Sequence, residues 1–143
     1  MEIQKTIKAK NSFIFNKIIE SGLYDIKEQT GKKLSPSQLS GFKYKKNFGK
    51  NQSGQIKFDE VVRDSIYSFT TSTQRQTFQT RWEIIALDED TSQVKITENQ
   101  ESNGFFQRLN DLAMNFIFGR AKKKQMIAIL DEMERLYSEN NGI

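Results

Sequence analysis

The sequence lacks both cysteine and histidine in its 143 residues. Without cysteine, the chain has no disulfide, no thiolate nucleophile and no thiolate-ligated metal site. Without histidine, it lacks the commonest metal ligand and the commonest general acid or base near neutral pH. These absences exclude Ser–His–Asp and Cys–His catalysis, and we predict neither a metal ion nor a cofactor.

Long hydrophobic runs are also missing. The longest nearly apolar run, residues 112–118, is interrupted by Asn115 and is far shorter than the ~20 residues of a membrane-spanning helix. Residues 1–5 alternate polar and apolar side chains and do not resemble the apolar centre of a secretion signal. We therefore expect a cytoplasmic protein. Its net charge of +4 permits contact with phosphates or anionic lipid without requiring it.

The length suits a single domain over residues 1–143. A chain of this size buries roughly two thirds of its unfolded surface, so a substantial core can form without covalent crosslinks. Hydrophobic residues make up 36%, and because eleven of them are phenylalanine, aromatic rings carry much of the burial.

Alternation of polar and apolar residues over 2–10 predicts a half-buried strand. An apolar stripe at helical spacing then predicts a helix, with Asn11 or Ser12 as N-cap and Gly31 as its stop. Residues 35–38 carry a capping box with proline at the first helical position, which predicts a short second helix or turn.

A series of period-two segments follows, and their short connections predict an antiparallel meander. The predicted strands span 42–48, 56–62, 66–73, 77–87 and 93–101. Residues 49–54 are the predicted hairpin loop of the first pair, and Ser102 is the predicted cap of a long C-terminal helix. Such a sheet can curl around the final helix and leave a groove between the two layers.

Several segments resemble a known family. They are Leu-Tyr-Asp-Ile at 23–26, Thr-Gly-Lys-Lys-Leu at 30–34, Gly-Phe-Lys-Tyr-Lys-Lys at 41–46, Lys-Asn-Gln-Ser-Gly at 50–54 and Gly-Phe-Phe-Gln-Arg-Leu-Asn-Asp at 104–111. Together with the element order, they resemble the START-like (SRPBCC) superfamily and, more narrowly, the small bacterial family called domain of unknown function 3284.

The resemblance implies an α+β helix-grip fold with the order β-α-α-β-β-β-β-β-α. In it, a curved antiparallel sheet of about six strands wraps on the long C-terminal helix. The superfamily includes lipid carriers, hormone receptors, polyketide cyclases and chaperone regulators. It has no shared catalytic motif to transfer to this chain, and a fold alone does not assign a function.

Apolar and aromatic side chains on the strands and the last helix are candidates to line the groove. A single phenylalanine is more often plain core, but Tyr67 and Trp82 each combine an apolar body with a polar group. The predicted cavity lining is Phe48, Phe58, Tyr67, Phe69, Phe78, Trp82, Phe105, Leu109, Leu112 and Phe116.

Four polar residues, Lys46, Glu60, Thr80 and Glu98, share the alternation phase of these apolar side chains. In a closed core each would need a partner. They either orient a ligand in a hydrated cavity or lie at a strand bulge or sheet margin, which is the commoner situation.

The leading hypothesis is a non-enzymatic protein that binds a small apolar ligand or a partner in the groove. One alternative is a cyclase- or hydrolase-like enzyme that uses tyrosine, glutamate or arginine in the cavity. Another is binding to an anionic surface through residues 120–124 together with Lys43, Lys45, Lys46 and Lys50.

The segment 112–118 has more apolar residues than one stripe requires, since Met114 and Phe118 fall partly off it. This surplus fits a homodimer contact through the C-terminal helix, a peripheral membrane contact or a ligand gate. We do not expect nucleic acid as a partner, because no nucleic-acid-binding motif is present.

Overall fold

The computed structural model describes residues 1–49, 52–74, 76–102 and 105–140, and the side chains among them except those of 101–121. The predicted element order is confirmed, with a 3₁₀ turn as the second helical element. The elements are β1 (Glu2–Ile7), α1 (Asn11–Thr30), the 3₁₀ turn (Pro36–Gln38), β2 (Lys43–Gly49), β3 (Gln52–Val62), β4 (Ile66–Ser72), β5 (Gln76–Ala86), β6 (Ser92–Ser102) and α2 (Phe105–Asn140).

The strands form one antiparallel sheet in the order β1-β6-β5-β4-β3-β2. Strands β2 to β6 are a meander, as predicted, and β1 joins its far edge beside β6. Helix α1 contacts β2 and β5, while α2 contacts β1, β6 and α1. The two helices therefore cover the inner face of the curved sheet, which is the predicted helix-grip arrangement. Among the described residues, no helix has the length and apolar character needed to cross a membrane.

The start of α1 differs from the prediction. Strand β1 ends at Ile7, and Lys10 occupies the N-cap position with an extended backbone and no side-chain cap bond. The side-chain amide nitrogen of Asn11 instead donates to the backbone carbonyl oxygen of Asp64 at 3.5 Å. The predicted N-cap is wrong because a turn distant in sequence lies beside this end of the helix. The predicted stop is confirmed, since Gly31 adopts a left-handed conformation with φ of 75°.

The first hairpin loop is shorter than predicted, because β3 begins at Gln52 and Gly54 pairs with Lys46 in the ladder. A Cβ on Gly54 would collide with the Ser72 carbonyl oxygen, so glycine permits a close approach within the sheet and does not mark a turn. Ser102 is also assigned wrongly: it pairs with Gln76 as the last residue of β6, and α2 begins only at Phe105.

One part of the core lies at the edge of the sheet formed by β1 and the first half of β6. Ile7, Val94 and Ile96 are fully buried there, and Leu130 anchors the C-terminal half of α2 against them. Burying each such side chain contributes about 1.5–3 kcal/mol. The apolar packing thus fixes α2 on the sheet at one end, and the opposite end of the inner face contains a cavity.

Candidate functional site

The cavity lies between α1, the inner face of β2 to β6 and the second half of α2, and its volume is about 750 Å³. All the strand residues predicted to line a groove do line it: Phe48, Phe58, Tyr67, Phe69, Phe78 and Trp82. The remaining predicted residues, Phe105, Leu109, Leu112 and Phe116, have side chains outside the described part of the chain. As ligand contacts, the whole set stays a prediction.

The strand register brings these rings together. Phe58 lies opposite Phe69 across β3 and β4, and Tyr67 lies opposite Trp82 across β4 and β5. Because side chains of directly opposed residues share one face of a sheet, they form a continuous wall. Ring centroids are 5.7 Å apart for Phe58 and Tyr67 and 5.6 Å apart for Tyr67 and Phe69.

The contribution of α1 to the cavity was not predicted. Gly22 is buried against the sheet, and a Cβ at this position would lie only 2.6 Å from the Tyr67 hydroxyl oxygen and 3.6 Å from the Phe58 ring. Asp25 also lines the cavity, one turn further along the helix. The spacing i, i+3 places a glycine and a carboxylate on the same helix face as the apolar stripe, and this is the sequence signal that could have revealed them.

Asp25 is the centre of a polar cluster at the wall of the cavity. Its carboxylate accepts a hydrogen bond from the Tyr44 hydroxyl and lies 3.1 Å from the Lys46 ammonium. Burial raises the pKa of Tyr44, and its hydrogen bond to Asp25 raises the pKa further. Tyr44 therefore remains a protonated donor at neutral pH.

The Tyr67 hydroxyl, unlike that of Tyr44, has no hydrogen-bond partner among the described residues. The Tyr67 side chain is 6% exposed. Burial raises the pKa of Tyr67, and the negative charge of Asp25 adds to the increase. The cavity wall thus presents a buried O–H donor that no described protein group satisfies.

A second polar cluster connects α2 to the sheet. The Lys122 ammonium lies 2.6 Å from the Glu98 carboxylate, and the Thr80 hydroxyl donates to the same carboxylate at 3.3 Å. The side chain of Glu98 is only 10% exposed, whereas that of Lys122 is 40% exposed, so the carboxylate is shielded from solvent and the ammonium is only partly so. Lys122 also lies 5.6 Å from the Phe78 ring centroid.

Of the polar residues predicted to face inward, Lys46, Thr80 and Glu98 line the cavity, but Glu60 does not. A bulge shifts the register of β3 between Phe58 and Glu60, so the alternation changes phase there. The Glu60 carboxylate lies 2.8 Å from Arg81 on the outer face of the sheet. No group of three acidic side chains in the described ranges is placed to hold a metal ion.

The predicted basic patch is divided between the cavity and the surface. Lys46 and Lys122 are paired with the cavity carboxylates. Exposed lysines remain on β2 and α2, namely Lys43, Lys45, Lys123 and Lys124, whereas Lys50 and the side chain of Arg120 lie outside the described residues.

Residues 1–119 match the family model described as "Domain of unknown function (DUF3284)". The chain belongs to this family. No curated protein sequence matches it significantly.

Solved structures of low sequence identity have the same fold and confirm the helix-grip arrangement. Norcoclaurine synthase from Thalictrum flavum, in complex with dopamine and hydroxybenzaldehyde, is similar with a TM-score of 0.63 at 10% identity, over 97% of this chain and 86% of that one. An aromatase/cyclase from a Streptomyces species has a TM-score of 0.56 at 11% identity, over 94% and 93%. A protein of unknown function from Staphylococcus aureus has a TM-score of 0.57 at 13% identity, over 100% and 95%.

Proposed function

We propose that this member of the DUF3284 family binds a small, largely apolar, ring-containing ligand in the cavity without changing it chemically. The observation that carries the proposal is the cavity itself: about 750 Å³ walled by aromatic rings, with a few polar groups at defined places. Ligand sites are typically concave and mostly apolar, with volumes of about 300–1,000 Å³ and a small number of orienting polar groups.

The protonation state of the two cavity tyrosines supports ligand binding over a role of these residues in proton transfer. The raised pKa of Tyr44 and of Tyr67 keeps both phenols protonated, so they act as hydrogen-bond donors and not as bases. Glu60, one of the glutamates predicted to face the cavity, lies on the outer face of the sheet, where it pairs with Arg81.

Two further arguments favour a ring-containing ligand in this site over an anionic surface partner. Norcoclaurine synthase, which shares the fold, has been solved with dopamine and hydroxybenzaldehyde, both single-ring aromatics. In addition, Lys46 and Lys122 are held by cavity carboxylates, which reduces the charge available to phosphates. The single domain over residues 1–143, the cytoplasmic location and the homodimer through the C-terminal helix stay predictions.

A matched pair of substitutions on β4 tests the proposal. Thr71 lines the cavity opposite Phe78, whereas Thr70 lies on the other face of the strand, where it donates to Asp59 at 2.6 Å. A phenylalanine at 71 fills cavity volume, and a phenylalanine at 70 adds the same ring outside it.

Binding is followed with the neutral fluorophore 1-aminoanthracene, whose emission rises in apolar surroundings, and with three naphthalene competitors: 2-acetylnaphthalene, 2-ethylnaphthalene and 2-naphthoate. We expect saturable binding that Thr71→Phe weakens by about tenfold or more, the equivalent of about 1.4 kcal/mol, and that Thr70→Phe leaves unchanged. Absence of saturable binding by the fluorophore and all three naphthalenes, or equal effects of the two substitutions, would contradict the proposal.

A further inference from the structure

The buried Tyr67 hydroxyl lines the cavity but has no hydrogen-bond partner among the described residues. We propose that this hydroxyl donates a hydrogen bond to a neutral acceptor oxygen, of the carbonyl type, on an aromatic ligand that packs against Phe58, Phe69 and Trp82. The inference rests on the proposed function and assigns a chemical class to the ligand, that of aromatic ketones, aldehydes and related carbonyl compounds.

The first argument is the missing partner. A buried hydroxyl without a hydrogen bond destabilises a fold, and most buried polar side chains in folded proteins are satisfied. Tyr44 and Thr80, which are buried in the same cavity, follow this rule through Asp25 and Glu98. Tyr67 does not, so a bound ligand is the natural source of its acceptor.

The second argument is the space kept for this hydroxyl. Gly22 on α1 faces it, and any Cβ there would lie 2.6 Å from the hydroxyl oxygen. Glycine in a helix interior is less favourable than alanine, yet here it allows the hydroxyl to lie between the helix and the cavity. The phenol ring is fixed by Phe58 and Phe69, with centroids 5.7 and 5.6 Å away.

The third argument concerns the charge of the acceptor. The negative charge of Asp25 acts on the Tyr67 hydroxyl and raises its pKa, even though Lys46 lies 3.1 Å from that carboxylate. The electrostatic potential at the hydroxyl is therefore unfavourable for an anion. A neutral oxygen can accept the hydrogen bond there without this repulsion.

Trp82 points to the same class of ligand. It lies opposite Tyr67 in the ladder, is 5% exposed and, within the described residues, its indole N–H has no acceptor either. The cavity carboxylates, by contrast, already have donors in Tyr44, Lys46, Lys122 and Thr80. The wall thus has donors that lack acceptors, which favours a ligand with acceptor oxygens.

The test uses the three naphthalenes introduced above, because they share one ring system and differ in the group attached to it. Each competes with 1-aminoanthracene for the wild-type chain, for Tyr67→Phe and for the control Tyr137→Phe, whose hydroxyl donates to Asp90 and is not part of the cavity lining. The measured quantity is the ratio of the Kd of 2-ethylnaphthalene to the Kd of 2-acetylnaphthalene.

We expect this ratio to fall by about three- to tenfold in Tyr67→Phe, because one neutral hydrogen bond is lost. It stays near the wild-type value in Tyr137→Phe, which removes a hydroxyl that is not part of the cavity lining. The anionic 2-naphthoate binds more weakly than 2-acetylnaphthalene. The infrared carbonyl band of bound 2-acetylnaphthalene lies at lower frequency in the wild type than in Tyr67→Phe.

The possible failures are distinguishable. If no naphthalene binds, the proposed function is wrong and this inference falls with it. If all three bind but the ratio and the infrared band are the same in wild type and Tyr67→Phe, the cavity binds ligands and the role given to Tyr67 is wrong. Tighter binding of 2-naphthoate than of 2-acetylnaphthalene would show that the acceptor oxygen of the ligand need not be neutral and would refute that part of the inference.

Discussion

Two tyrosines of the same cavity should respond in opposite ways to the loss of a hydroxyl. Tyr44 is 6% exposed and donates to Asp25, and Tyr67 is 6% exposed with no acceptor in the described chain. A hydrogen bond to a charged group contributes about 1.5–3 kcal/mol. Because the Asp25 side chain is 26% exposed and keeps Lys46 as a partner, we expect Tyr44→Phe to lower the free energy of unfolding by about 1–2 kcal/mol.

Tyr67→Phe removes a donor that the protein itself does not satisfy. Water in the cavity can take up part of that hydrogen bond, so the free energy of unfolding should change by less than about 0.5 kcal/mol or should increase. The ring, its burial and its contacts with Phe58 and Phe69 remain. Each variant lacks one phenolic oxygen and is otherwise unchanged, so each serves as the control for the other.

Urea unfolding measures both changes. Trp82, the single tryptophan of the sequence, is 5% exposed and lines the cavity, so its emission reports the transition alongside circular dichroism. An unchanged slope with denaturant would show that the midpoint shift reflects stability. A loss of about 1 kcal/mol or more in Tyr67→Phe would show that its hydroxyl has a partner and would refute the reasoning. No loss in Tyr44→Phe would show that the bond to Asp25 contributes nothing.

Two other results should follow from the same site. Gly22→Ala should not give the increase of about 1 kcal/mol in the free energy of unfolding that helix propensity predicts, because the new Cβ would lie 2.6 Å from the Tyr67 hydroxyl. In a double-mutant cycle, adding Tyr67→Phe to Gly22→Ala should recover about 0.5 kcal/mol or more of that free energy. Strict additivity of the two substitutions would contradict this. Burial raises the pKa of Tyr67 above 10.0, so the unfolded chain releases this proton first and stability falls as pH rises above that value. Tyr67→Phe should reduce the slope between pH 10 and 11 by up to about 1.4 kcal/mol per pH unit, and equal slopes in the two proteins would contradict the assignment.

The strand residues of the site were predictable because side chains alternate between the two faces of a sheet, so every second residue of a strand lies on the same face. Once the strands were placed, Phe58, Phe69 and Trp82 had to share one face of the sheet, and the register confirms that they do. The same rule failed at Glu60 for a physical reason. A bulge adds one residue to β3 without changing the polar–apolar pattern enough to reveal it.

The helix half of the site was harder to predict because its polar contacts join residues distant in sequence. Asp25 and Tyr44 are 19 positions apart, and Glu98 and Lys122 are 24 apart. A helical stripe identifies the face that packs on the sheet but not which strand residue lies opposite each position. The N-cap error at Asn11 has the same origin, since its competing acceptor is 53 positions away.

The distribution of packing explains how the fold can tolerate an unsatisfied donor. At one end of the sheet, Ile7, Val94, Ile96 and Leu130 are completely buried and fix the last helix on the strands. Each such side chain contributes about 1.5–3 kcal/mol, so the cost of about 1–3 kcal/mol for one unpartnered hydroxyl is comparable to a single core residue. At the other end, the buried Tyr67 hydroxyl has no hydrogen-bond partner among the described residues, and a glycine in the interior of α1 leaves just enough room for it. Departures from local rules are expected at functional sites, so the unpartnered hydroxyl beside Gly22, more than the volume of the cavity alone, supports the proposal that the cavity binds a ligand.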